Sequence, residues 1–281
     1  MFATLLKYEF RRTKNILLPM NLGALAIGGV GYFVMLIFTM LMQNPDSEIF
    51  IVAPLLSLLW MGLILLLTLL STAVTIVLCI QFYREKFTDQ GYLTFTLPAS
   101  THQILLSSYL NFLIWMIINT IVTLVGIAIM LTPIISMALK RIAEMGLDIS
   151  YLWALIKENI AQILPSGALF TVSYIMLLIS SLFYGVTLPY LAITLASVLV
   201  KKMKLLLAVG IGYGMSMVMG VIPSILAIIE GIITGMLMAN NDLTVYAPGA
   251  ISYIITSIFY MAFAIGGYFL MHHLVKKKLN L

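Results

Sequence analysis

About six long apolar stretches follow one another between Ile16 and Val275, and none carries a Lys, Arg, Asp, Glu or His in its middle. A crossing of the hydrocarbon core needs roughly 20 residues, so the pattern predicts an all-α, polytopic membrane protein. Ion-coupled carriers and intramembrane enzymes usually place ionisable groups at depth. Here none is expected there, and energy for any transport is expected to enter from outside the membrane.

Composition supports this reading without reference to any window. Hydrophobic residues make up 62% of the 281 positions and charged ones 9%, against roughly 25% charged in soluble domains. The length suits one transmembrane domain over residues 1–281, with no stretch left for a soluble enzyme domain. The single cysteine, Cys79, lies inside an apolar run, so disulfides do not staple the fold. A basic start before an apolar run also marks a secretory signal. The run from Ile16 to Met42 exceeds the roughly 7–15 residues of a signal core, so the first span is read as retained.

The spans are placed at about 16–42, 51–80, 109–136, 166–200, 205–229 and 249–274. The fourth is long enough to tilt, or to break at Pro189. Basic residues flanking spans are retained on the cytoplasmic side. With both termini inside, 12 of the 15 Lys and Arg fall inside, and only Lys140, Arg141 and Lys157 fall outside. Seven of the ten acids fall outside, Glu230 among them. The chain is therefore expected to be a multi-pass protein of the plasma membrane with cytoplasmic ends. Its basic balance matches anionic inner-leaflet lipid and gives no reason to invoke nucleic acid.

Residues 1–15 read as an interfacial amphipathic helix. At 100° per residue, Lys7, Arg11 and Lys14 share one face with Thr4 and Asn15, while Phe2, Leu5, Leu6, Phe10 and Thr13 share the other. Such a helix is expected to lie along the inner surface before turning into the bilayer. It serves either as an anchor or as a docking element, the latter suggested by Glu9 within the apolar face, with Arg12 at i+3 available to neutralise it.

The internal cytoplasmic segment 81–108 carries both charge signs. Asp89-Gln90-Gly91 reads as a helix stop with glycine at the left-handed position. Ser100 with Gln103 reads as a capping box that opens the next helix. Between them Leu93, Phe95 and Leu97 alternate with Tyr92, Thr94 and Thr96, and Pro98 closes the run. Six residues do not decide between a strand and a short helix. Three large apolar side chains on a loop need cover, supplied either by the protein's own helix ends or by a partner's groove.

The basic KYEF helix, the six-span layout and the loop REKFTDQGYLTFTLPASTHQILLS together resemble the membrane (permease) subunit of an ABC-2 type transporter of the Gram-positive bacterial kind. The likeness covers the whole chain in topology and about 45 residues in motif. It implies that the loop and the N-terminal helix contact a separate cytoplasmic ABC ATPase. The resemblance places that role on Glu9, Arg11 and Arg12, with Lys7 on the same helix, and on Glu85, Asp89, Gly91, Tyr92, Leu93, Phe95, Leu97 and Pro98. Many relatives carry a Lys shortly after the loop's Gln, where this chain has Ser107-Ser108-Tyr109. The resemblance further implies ATP and Mg on the partner, none bound by this chain, and a second permease copy, identical or related. The absence of any Gly-Lys dipeptide removes the phosphate-cradling P-loop. The expectation is a non-enzymatic export subunit forming half of a translocation path. The alternative is a membrane scaffold or sensor that recruits a cytoplasmic partner without transport.

Three features remain. Gly212, Ser216, Gly220 and Ser224 form a small-residue stripe suited to close helix packing, with a dimer seam or hinge as the alternative. Residues 148–165 suit an amphipathic helix outside the membrane, and 230–240 suit either a re-entrant turn or a longer uninterrupted helix. His102, His272 and His273 have no Cys or carboxylate at ligand spacing, so no metal site is expected.

Overall fold

The computed structural model describes residues 2–43, 51–88, 91, 94, 96, 99–144, 149–200, 202–239 and 246–278, with side chains undescribed at 149–167, 234, 237–239, 246–248 and 278. Among the described residues six helices carry the architecture: α1 (Phe2–Gln43), α2 (Ala53–Phe87), α3 (Thr101–Glu144), α4 (Ile149–Leu199), α5 (Lys204–Ala239) and α6 (Tyr246–Lys278). Each contains a segment long and apolar enough to cross a membrane. The protein is all-α and polytopic, as lipid demands of a chain that must satisfy its backbone internally. Hydroxyls within the spans follow the same logic, because Thr39, Thr68 and Ser181 each donate to a carbonyl three residues back, which removes the need for a distant partner.

Three expectations change at the level of elements. The N-terminal helix is not a separate interfacial piece, since α1 runs without interruption from Phe2 through Pro19 to Gln43. The two-faced pattern itself is correct: Lys7, Arg11, Lys14, Thr4 and Asn15 are exposed, while Thr13 is buried. The apolar face is covered by protein instead of lipid. Phe10 stacks on Trp115 at 5.1 Å, and Trp115 Nε1 donates to Thr13 Oγ1 at 2.8 Å. Likewise, residues 149–165 are continuous with the fourth span inside α4, which passes Pro189 without breaking. The stretch 230–239 is the uninterrupted end of α5.

Contacts divide the chain into two compact units: unit 1 is Met1–Leu6, Cys79–Leu113 and Glu158–Leu281, and unit 2 is Lys7–Leu78 and Ile114–Lys157. In unit 2 the helices approach through glycine. A Cβ on Gly28 would lie 2.9 Å from Gly126 Cα, and one on Gly31 would collide with the Met130 side chain. Asn119 Nδ2 donates to Ser71 Oγ at 2.7 Å, so its polar side chain is satisfied within the helix packing. In unit 1 the core is aromatic. Phe82 stacks on Tyr190 at 3.6 Å, and Phe112 meets the same ring edge-on at 5.1 Å. Large apolar residues such as Leu206, Val209 and Val218 point outward, the surface a bilayer covers.

Candidate functional site

The segment after α2 is anchored before it departs. Glu85 and Lys86, the last charges of the helix, are 9% and 3% exposed, and Lys86 Nζ stands 3.8 Å from Glu85 Oε2. Buried charges at a helix end are tolerated when they are paired. The sequence reading offered Glu85 as a contact for a partner. The structure places it in a buried position beside Lys86.

The loop then folds back onto this pair. Thr88 Oγ1 donates to the Arg84 carbonyl, and the Gly91 amide donates to the Thr88 carbonyl at 2.8 Å. Thr94 Oγ1 donates to the Glu85 carbonyl at 3.2 Å. Gly91 and Thr94 are helical and Thr96 lies in a turn, so the described residues of the alternating stretch are not extended. Gly91 is not left-handed. A Cβ there would sit 2.6 Å from the Lys86 carbonyl oxygen, so glycine is required by close approach, and the stop itself falls at Phe87. Asp89, Tyr92, Leu93, Phe95, Leu97 and Pro98 lie outside the described residues.

Both flanks of the loop are tied to the aromatic core of unit 1. Phe87 packs edge-on against Phe82 at 5.9 Å, and its carbonyl accepts from Lys204 Nζ at 3.4 Å. Lys204 follows the turn in which Met203 takes φ 57°. On the far side the expected cap is present: the Gln103 amide donates to Ser100 Oγ at 3.2 Å, and the Ile104 amide to the Ser100 carbonyl at 3.1 Å. Tyr190 OH donates to the Ser108 carbonyl at 3.3 Å, and Ser107 and Ser108 are buried. Phe82 and Phe87 were not singled out in the sequence, where one aromatic ring in an apolar run looks like any other. The site is therefore a short folded loop whose base is clamped to α4 and α5. A force applied to it has a packed route into those helices.

The remaining candidates separate. In unit 2, Glu9 is half-buried on the inward face of α1, whereas Lys7, Arg11 and Arg12 are exposed. In the α5 stripe only Gly212 meets another helix, its Cβ position lying 3.5 Å from Ala192 Cβ; Gly220 has open space, and Ser216 and Ser224 are exposed. Glu230 is engaged, with Ser252 Oγ donating to its Oε2 at 2.6 Å. His102 and His272 come together at 5.9 Å between rings, and His102 Nδ1 shares a hydrogen bond with Tyr268 OH at 2.9 Å. Among the described residues no group of three or more His, Cys, Asp or Glu gathers as a metal site would require.

Fold and site together define a polytopic helical membrane protein with a clamped internal loop. No family model, no curated protein and no solved structure matches the chain.

Proposed function

We propose that the chain is the permease subunit of an ATP-driven exporter of the ABC-2 type, forming half of a translocation path in the plasma membrane with both termini cytoplasmic. Its loop between α2 and α3 receives the stroke of a separate cytoplasmic ATPase, which holds the ATP and Mg. One observation carries the reading: the loop bearing GYLTFTLP is fixed at its base by the buried Glu85–Lys86 pair and by Phe87, whose carbonyl accepts from Lys204 and whose ring packs on Phe82, itself stacked on Tyr190. A loop built only to join two spans needs no such clamp. Displacing this one shifts α4 and α5, and a second copy of the chain completes the path. Alternation between inward-open and outward-open arrangements then follows from the partner binding one arrangement better than the other.

The test asks whether a neighbouring gene encodes a P-loop protein, co-expresses that protein with the chain and replaces Leu93, Phe95 and Leu97 together by Ser. Co-purification is expected to fall at least tenfold, with loss of transport-stimulated ATP hydrolysis. Unchanged binding and unchanged transport would remove the docking assignment. A partner that binds but drives no nucleotide-dependent movement would point to a scaffold instead.

A further inference from the structure

We propose that the cleft between the C-terminal ends of α1 and α3, within unit 2, binds an amphiphile whose head group carries an anion together with hydroxyl or ammonium donors, as the head of an acidic phospholipid does. The cleft encloses about 340 Å³, within the roughly 300–1,000 Å³ of small-ligand sites. Its chemistry is unusual for this chain, because six hydrogen-bonding side chains converge in a protein with few polar residues.

Three of those groups present acceptors to the cleft in this geometry. Thr39 Oγ1 donates to the Leu36 carbonyl at 2.9 Å, Thr132 to that of Ile129 at 2.7 Å and Ser136 to that of Pro133 at 2.8 Å. Each hydroxyl has spent its proton on its own helix. The other three, Tyr32, Gln43 and Lys140, bring donors to the same cleft. Lys140 makes no ion pair among the described residues, although Glu144 lies one turn further along the helix. Among the described residues its ammonium has no counter-charge.

A ligand that satisfies both sets must itself accept and donate. Phosphate alone would meet Lys140 and leave the three hydroxyl oxygens facing further acceptors. The helix C-termini disfavour a bare anion for the same reason, since their free carbonyls carry partial negative charge. Glycerol hydroxyls or an ammonium fit that part of the cleft, with the phosphate on Lys140. The rest of the wall argues for a tail. Met40 and Met137 line the cleft beside the polar groups, and Lys140 stands four residues beyond the end of a charge-free span. Head and tail thus fall at the depths a lipid gives them. The inference stands whether or not the chain works with an ATPase.

The test uses the purified full-length chain in detergent, titrated with phosphatidylglycerol or phosphatidylcholine and read by native mass spectrometry. One phosphatidylglycerol per chain is expected, held at least fivefold more tightly than phosphatidylcholine. Lys140→Glu is expected to erase that preference and Lys140→Arg to keep it. The double change Thr132→Val with Ser136→Ala is expected to lower retention about threefold with the charge untouched. That double variant carries the test if Lys140→Glu does not remain monodisperse. Equal retention by the wild-type chain and these variants would overturn the proposal. So would displacement of the lipid by equimolar soluble glycerol phosphate, which would mark a site for a free anion.

Discussion

Gly91 is the residue on which the loop's fold-back turns. Its place in the loop rests on the absence of a Cβ that would press 2.6 Å from the Lys86 carbonyl oxygen. A backbone atom cannot move aside as a flexible side chain can, so Gly91→Ala is expected to loosen the fold-back at a cost of about 1–3 kcal/mol. Limited proteolysis is expected to cut the loop of this variant several-fold faster, while the thermal midpoint of the whole protein moves little. Equal cleavage rates would show that the close approach is unimportant. The sequence made glycine conspicuous here and suggested the wrong reason, a left-handed cap. The burial of Glu85 was equally hidden, since a charge at a helix end ordinarily faces water and its enclosure depends on where its neighbours come to rest. By contrast, the Ser100 cap was legible because its partner lies three residues away. Local chemistry reads directly from the chain, and chemistry that depends on a distant neighbour does not.

Among the elements, α1 and α3 show how far small residues specify helix packing. Ala24 and Gly28 are spaced by four on α1, the same signature that drew attention to Gly212, Ser216, Gly220 and Ser224 on α5. The rule fits both helices, yet intrachain close approach is realised at Gly28 and, on α5, at Gly212 alone. Spacing identifies a helix face able to come close. It does not say whether another helix is there. A paired substitution separates these effects. Alanine normally favours a helix over glycine by about 0.5–1 kcal/mol, so Gly29→Ala, with nothing within 4 Å, is expected to leave the unfolding midpoint in detergent unchanged or slightly raised. Gly28→Ala is expected to lower it, because the new Cβ meets Gly126 at 2.9 Å. Equal shifts for the two variants would refute the crossing. The continuity of α1 was hidden for a related reason: the basic first turns looked like a surface helix because nothing in them announces that Phe10 and Thr13 meet Trp115.

For the molecule as a whole, the six spans were legible because a bilayer imposes its period on composition. Each of the six apolar stretches coincides with a helix to within two residues at its ends or lies inside one, and the larger differences lie in how far those helices continue past them. Orientation is the open consequence. With Cys79 replaced by Ala, single cysteines at Lys140 and Lys277 are expected to react with a membrane-impermeant maleimide from opposite sides of the membrane, Lys140 from outside. Labelling of both from one side would refute the three crossings between them, and labelling of Lys140 from inside with Lys277 from outside would reverse the orientation. The length of α1 adds something of a different kind. At 1.5 Å per residue its 42 residues measure about 60 Å, about twice the hydrocarbon thickness. One end carries Lys7, Arg11 and Arg12, and the other supplies Tyr32, Thr39 and Gln43 to the cleft. An unbroken helix of that reach is a lever with its fulcrum in the membrane, and a tilt of about 5° carries each end roughly 2–3 Å in opposite directions. Whatever grips the basic end thereby acquires mechanical leverage over the cleft, with no signal needing to pass from side chain to side chain.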